Sequence, residues 1–142
     1  MSLNQVSIFL ENRAGQLARV CKTLAAQNVS LIALSLAESQ EFGIVRLIVD
    51  DSAKAAQILK AENFLVASTA VTAVAVPDRP GGMSEVAAFL SERGCDIEYS
   101  YAFAIKQQAK AVLVFRFKDE AKASAALAEA GYETLDEAAL KA

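Results

Sequence analysis

Two short segments of this chain follow the same plan and decide its fold: LENRAGQL at residues 10–17 and VPDRPGGM at residues 76–83. In each copy an apolar run ends, a turn with arginine and glycine follows, and an apolar pattern with helical spacing begins. An internal repeat of this kind indicates two supersecondary units built alike. We therefore expect the chain to fold as two related halves.

The repeat continues along the chain. The turn residues 12–15 return 66 positions later as 78–81, and Leu31 returns as Ile97. Farther on, DSAKA at 51–55 returns 68 positions later as DEAKA at 119–123. A two-residue insertion between the matched stretches explains the change of spacing. The sequence thus predicts two domains with a boundary near Thr69, one at 1–69 and one at 70–142.

Hydrophobic periodicity alternates within each half, because short apolar runs predict strands and i, i+3, i+4, i+7 spacing predicts helices. The first half has predicted strands at 6–10, 29–36, 44–49 and 64–67, a polar turn at 38–43, and helices after the turn at 11–15 and after a cap at Asp51. The second half has predicted strands at 72–76, 96–105, 110–118 and 132–135, and helices at 82–92, 119–129 and 136–142. The helix at 82–92 is expected to turn Met83, Val86, Ala87 and Leu90 inward.

Each half therefore has the order βαββαβ. Right-handed crossovers fold this order into a ferredoxin-like sandwich. The predicted fold class is α+β, with two tandem ferredoxin-like βαββαβ units whose antiparallel sheets carry helices on one face. A single unit of this size leaves its sheet edges exposed, so joining two copies has a structural reason. We also expect a homodimer through the outer edges that remain.

The composition excludes many functional classes. Hydrophobic residues make up 54% of the 142 residues, and a net charge of −3 disfavours sequence-independent binding to nucleic acid or to anionic membranes. The chain has no histidine, which excludes histidine-dependent triads and histidine-ligated zinc, and Cys21 and Cys95 alone cannot form a thiolate metal site. We expect no metal and no cofactor. No apolar run approaches the length of a membrane helix, so we expect a cytoplasmic protein.

Two further classes are disfavoured by their missing motifs. An enzyme would need a paired acid and base or a phosphate-binding loop, and Pro80-Gly81-Gly82 alone is a weak signal. An RNA reader can share this strand order, but residues 111–118 lack the glycine-bearing aromatic signature that stacks bases. We therefore expect neither catalysis nor a nucleic-acid partner.

The first loop with the later segment Asn28-Val29-Ser30-Leu31, and the second loop with Gly94-Cys95-Asp96-Ile97-Glu98-Tyr99, resemble the signature of the ACT domain. This is the small regulatory module of amino-acid metabolic enzymes. The resemblance covers nearly the whole chain, as two copies in tandem. The chain is similar to the stand-alone tandem ACT proteins, some of which are labelled acetolactate-synthase-like. It implies a small effector, most often an amino acid, bound where two ACT domains meet. The loop of one domain would face the start of the second strand of its neighbour.

Carried over to this sequence, the resemblance implies two sets of ligand-binding residues. The first comprises Asn12, Arg13, Ala14, Gly15 and Gln16 in the loop, with Ser30 and Leu31 at the second strand. The second comprises Asp78, Arg79, Pro80, Gly81, Gly82 and Met83, with Asp96 and Ile97. Ser30 and Asp96 stand where the family often has asparagine. This departure suggests two unequal sites, of which the second favours a cationic group.

Each of these positions also has a purely structural interpretation. Gly15 and Gly81 can serve only a tight turn. Asn12 and Asp78 can serve as helix caps, and Ser30 and Asp96 as ordinary residues at the start of a strand. The aromatic side chains of residues 99, 101 and 103 can pack in the fold or line a pocket.

The resemblance therefore implies a regulatory sensor protein that binds an amino acid without catalysis. The alternative is a regulatory subunit that acts mainly through a partner enzyme of amino-acid metabolism.

Overall fold

The computed structural model describes residues 3–11, 13–39, 42–105 and 108–141. They form two compact units, one of Asn4–Thr69 and one principally of Ala70–Leu140. Each unit has its own hydrophobic core.

The first unit has the order βαββα followed by a strand. Its elements are β1 (Leu3–Glu11), α1 (Gln16–Ala26), β2 (Leu31–Ser39), β3 (Phe42–Val49), α2 (Ser52–Ala61) and the beginning of β4 (Leu65–Pro77). The strand order is β2-β3-β1-β4, and β3 is antiparallel to both β1 and β2. One face of this sheet packs against the helices through a core that includes Val6, Ile8, Val20, Leu24, Val45, Leu47 and Leu59.

The second unit repeats this order, starting from the later part of β4. Its further elements are α3 (Gly82–Glu92), β5 (Ile97–Ile105), β6 (Lys110–Phe117), α4 (Glu120–Glu129), β7 (Glu133–Leu135) and α5 (Glu137–Lys141). The strand order is β5-β6-β4-β7, with β6 antiparallel to β4 and β5, and β7 antiparallel to β4. The core face includes Val74, Val76, Val86, Leu90, Leu113, Phe115 and Leu127.

The two units repeat fine details as well as the element order. The register of β2 against β3 shifts between Leu31 and Ala33, and that of β5 against β6 shifts between Ile97 and Tyr99. Asp51 and Asp119 each cap a helix, accepting a hydrogen bond from the backbone N–H three residues later at 3.1 Å. The predicted α+β class with two ferredoxin-like units is confirmed.

Three element predictions were wrong in detail. The strand predicted at 72–76 and residues 65–67 of the strand predicted at 64–67 belong to the single thirteen-residue strand β4, because no glycine, proline or asparagine interrupts residues 65–76. The polar turn predicted at 38–43 is shorter, since β2 continues to Ser39 and β3 begins at Phe42. Met83, predicted to face inward, is 43% exposed because it lies in the first turn of α3 and points away from the core.

No helix in the described part of the chain combines the length and the apolar character needed to cross a membrane.

Candidate functional site

Both repeated loops end in a glycine that starts the next helix. Gly15 is the N-cap of α1 with φ 89° and ψ −15°, and Gly81 is the N-cap of α3 with φ 90° and ψ −12°. This left-handed conformation is accessible to glycine at little cost. Glycine has no side-chain oxygen, whereas α2 and α4 are capped by aspartate side chains. The N-cap glycines therefore offer no side-chain acceptor to the first turn. The first N–H of each helix, that of Gln16 or Gly82, donates to the backbone oxygen of the loop arginine at 3.4 Å or 3.1 Å.

The arginine of each loop is held by a different glutamate. Nε of Arg13 lies 3.0 Å from Oε2 of Glu11, while Nη2 of Arg79 lies 3.1 Å from Oε1 of Glu85 in the first turn of α3. All four side chains are mostly exposed, so each ion pair adds little stability. The two loops thus have the same backbone but a different arrangement of charge.

A cavity of about 60 Å³ opens beside the first loop. It lies where the end of β1, the start of α1 and the β2–β3 hairpin meet. Two of the predicted site residues, Arg13 and Gln16, are in its wall. The remaining lining residues are Leu10, Glu11, Leu17, Leu36, Glu38 and Gly43.

Strand register explains why there is space at this position. Gly43 of β3 lies between Leu10 of β1 and Glu38 of β2, since it is the register partner of both. The missing side chain leaves a gap in this row across the sheet. In the second unit the corresponding row is Val76, Ala111 and Ala104, so an alanine replaces the glycine.

The start of α3 lies so close to the end of β4 that no side chain fits between them. Gly82 is buried, and a Cβ added to it would lie 2.6 Å from the backbone oxygen of Pro77. The first unit has Gln16 at this place, and its side chain lines the cavity. The sequence difference between glutamine and glycine therefore gives the two loops different shapes.

The other predicted site residues lie at the far end of each sheet. Leu31 pairs with Val49, whereas Glu11 pairs with Phe42, so Ser30 and Leu31 are at the opposite end from the first loop. The backbone N–H of Ser30 donates to Oδ1 of Asp50 at 3.0 Å.

The second unit repeats this separation. Ile97 pairs with Phe117 and Pro77 with Lys110, and the backbone oxygen of Asp96 accepts from Lys118 at 3.0 Å. Within one unit the loop and the second-strand residues are thus not brought together.

The remaining predicted site residues lie mostly on the surface. Ala14, Asp78 and Pro80 are exposed, and the backbone N–H of Asp78 donates to the oxygen of Ala109 at 3.0 Å. Asp78 is not the cap of α3, because Gly81 occupies that position. Asn12 lies outside the described residues.

Sequence reasoning missed six lining residues of the first cavity, namely Leu10, Glu11, Leu17, Leu36, Glu38 and Gly43. Glu38 and Gly43 lie in the stretch predicted to be a polar turn. The apolar alternation of Leu34 and Leu36 ends at the charged Glu38, so periodicity gives no signal that β2 continues past Leu36.

The cavity offers charges of both signs. The guanidinium of Arg13 and the start of α1 can receive a carboxylate, and the carboxylates of Glu11 and Glu38 can receive an ammonium group. Among the described residues no cluster of three or more potential metal ligands occurs. The arrangement is suited to binding a small zwitterion.

The fold and the paired glycine loops together define a class of protein, one with two tandem ferredoxin-like units. A family model described as the ACT domain pair matches residues 1–142. The chain belongs to this family, and the resemblance predicted from the loops is confirmed.

Solved structures agree with this assignment. Protein BT0572 from Bacteroides thetaiotaomicron is 40% identical, with a TM-score of 0.92, over 99% of this chain and 96% of that one. The regulatory subunit of aspartate kinase from Thermus thermophilus, in its ligand-free form, has a TM-score of 0.61 at 15% identity, over 90% of this chain and 92% of that one. Its counterpart from Thermus flavus has a TM-score of 0.58 at 14% identity, over 89% and 91% of the two chains. The last two show a shared fold. A comparison with curated proteins found no significant match.

Proposed function

We propose that this protein is a non-catalytic sensor that binds an amino acid and transmits its presence through the arrangement of its ACT domains. The ligand binds where two ACT domains meet, and the first loop and its cavity form one wall of that site. The second loop forms a separate, unequal site. The proposal includes a cytoplasmic location.

The observation that carries this proposal is the contrast between the two kinds of helix start. α2 and α4 begin with aspartate caps, whereas α1 and α3 begin with left-handed glycines at the two repeated loops. An aspartate cap satisfies first-turn N–H groups from within the chain. A glycine cap has no side-chain oxygen to offer, so water or a ligand carboxylate can take the place that the aspartate oxygen fills in α2 and α4.

The charges around the first cavity favour an amino acid over a simple anion. Glu11 and Glu38 line the cavity together with Arg13, so carboxylate oxygens lie beside the guanidinium at its wall. An α-ammonium group near these carboxylates and an α-carboxylate near the start of α1 would satisfy both. The small volume admits the zwitterionic end, while the side chain extends outward.

A thermal-shift screen tests the proposal. Each of the twenty standard amino acids is added in millimolar excess to the full chain. A ligand at ~100 times its dissociation constant adds about 2.7 kcal/mol of apparent stability, which raises the melting temperature by several degrees. At least one amino acid is expected to give such a shift. A flat response to all twenty would contradict the proposal.

The second candidate function is that of a regulatory subunit of an amino-acid metabolic enzyme. It is favoured by the fold shared with the regulatory subunit of aspartate kinase from Thermus thermophilus. Affinity capture with the tagged chain, in the presence and absence of the amino acid identified above, tests it. Recovery of one such enzyme, whose activity changes when the purified chain is added, is expected. An enzyme activity that is indifferent to the chain would contradict it.

The proposal also includes a homodimer. β2 lies at one end of the strand order of the first unit and β5 at one end of that of the second. Large apolar side chains on or near these strands are exposed, among them Leu34, Leu36 and Ile97. Edges of this kind usually acquire a partner.

A further inference from the structure

The wall of the first cavity has an apolar side as well as a polar one. The apolar side consists of three leucines from three different elements, Leu10 of β1, Leu17 of α1 and Leu36 of β2. Leu10 is 5% exposed and Leu17 is half-buried, whereas Leu36 is 53% exposed. The apolar side therefore extends from the buried interior to the surface, and Leu36 is the leucine at the mouth of the cavity.

The side chain of Leu36 borders the gap that Gly43 leaves in the sheet. A Cβ added to Gly43 would lie 3.4 Å from Cδ1 of Leu36, which is van der Waals distance. The same methyl group is thus within contact distance of any ligand atom that occupies this gap. A ligand that enters the cavity from the surface therefore lies against Leu36.

The volume of the cavity decides which part of a ligand is enclosed. The cavity measures about 60 Å³, whereas a cavity of about 150 Å³ holds a single benzene molecule. An amino acid such as leucine is larger than benzene, so only part of it fits inside. The side chain of the ligand then lies at the mouth, beside the exposed surface of Leu36.

The second unit has no leucine at the corresponding place. Ala102 of β5 stands 66 positions after Leu36 and pairs with Leu113, as Leu36 pairs with Val45. Ala111 replaces Gly43 in the adjacent strand. The combination of a gap and a large apolar side chain beside it is thus a feature of the first unit and not of its repeat.

We infer that Leu36 determines the specificity of the first site, and that this site favours amino acids with an apolar side chain over polar ones of the same shape. The inference rests on the sensor function proposed above and adds the class of its ligand. An apolar side chain removes its own surface and that of Leu36 from water, which stabilises the complex. A polar side chain gives up hydrogen bonds to water and meets a leucine that cannot replace them.

Isothermal titration calorimetry of the full chain with pairs of amino acids of similar shape tests this specificity. Leucine is compared with asparagine, valine with threonine, and methionine with glutamine. The apolar member of at least one pair should bind about tenfold or more tightly than its polar counterpart. Lysine is added as a further ligand, because its ammonium group would pair with Glu38 if charge decided the specificity.

Two variants assign the preference to Leu36. Leu36→Asn replaces the leucine by a polar side chain of similar shape, and Leu36→Ala reproduces the residue that stands at 102. In both, the ratio between the two members of the pair should fall towards one, whereas a general loss of stability would weaken both members alike. Leu65→Asn is the matched control, since Leu65 is an exposed leucine of β4, at the other end of the strand order of the first unit from β2.

A preference for the apolar member that persists in Leu65→Asn and is lost in both variants of Leu36 supports the inference. Tighter binding of the polar members or of lysine overturns it, as does a preference that survives in the Leu36 variants. In each of these cases an amino acid is still bound, so the sensor proposal stands. Absence of binding by all twenty standard amino acids contradicts the sensor proposal and the inference together.

Discussion

At the scale of single residues, Gly15 and Gly81 set the backbone of the two loops. Both have φ near +90° and both begin a helix. A Cβ at Gly15 would meet no heavy atom within 4 Å. Any cost of substituting Gly15 therefore comes from the backbone conformation and not from a clash, which makes this residue a clean test of the loop.

Gly15→Ala should lower the free energy of unfolding by about 1 kcal/mol, because an L side chain disfavours the left-handed region. Gly15→Asn should lose less, since asparagine tolerates that region better. Urea unfolding followed by circular dichroism measures both, and it suits a chain without tryptophan. An alanine variant as stable as the wild type would show that the loop does not need the left-handed residue.

Substitution of Gly82 tests close packing, whereas substitution of Gly15 tests backbone conformation. Gly82→Ala should cost about 1–3 kcal/mol, because the added Cβ would lie 2.6 Å from the backbone oxygen of Pro77. Gln16→Ala at the equivalent place in the first unit should change stability by no more than about 0.5 kcal/mol. Equal losses in the two variants would contradict the difference in packing between the two loops.

At the scale of secondary-structure elements, the aspartate caps should contribute equally in the two units. The side chains of Asp51 and Asp119 accept bonds of the same length, 3.1 Å. Asp51→Ala and Asp119→Ala should each cost about 1 kcal/mol, and the corresponding asparagine variants only a few tenths. Differential scanning calorimetry measures the effect. A loss confined to one of the two alanine variants would contradict the structural equivalence of the caps.

The element order could be predicted from the sequence because the repeat fixes the phase of both halves. Asp51 and Asp119 marked helix starts, and Gly15 and Gly81 marked the loops before the other two helices. The boundary between 64–67 and 72–76 could not be found, since every residue from 65 to 76 tolerates a strand. Met83 follows the helical spacing, but at the first turn of α3 the buried residue is Gly82, and Met83 is exposed.

At the scale of the whole molecule, only part of the candidate site could be predicted from sequence. Arg13 and Gln16 lie next to the loop motif and were found with it. Glu38 and Gly43 are more than 20 residues away along the chain, and only the register of β2 and β3 brings them to the loop. The register of β2 and β3 depends on where the turn between them lies, so the turn predicted at 38–43 gives no indication that Glu38 and Gly43 are partners.

The central claim is that the first cavity receives part of an amino-acid ligand. Gly43→Val tests it most directly, because it fills the row between Leu10 and Glu38 with a side chain suited to a strand. An added Cβ would lie 3.4 Å from the flexible end of Leu36 and 3.8 Å from the backbone oxygen of Ala37, so the fold should persist. Ala111→Val changes the corresponding position of the second unit and serves as the matched control.

The measurement is isothermal titration calorimetry of the wild type and both variants with each of the twenty standard amino acids. We predict that one amino acid binds the wild type with a saturable heat. In Gly43→Val its affinity should fall by at least about tenfold, since a filled cavity excludes the ligand. In Ala111→Val the binding at this site should persist. Unchanged binding to Gly43→Val, or no binding of any amino acid to the wild type, would contradict the account.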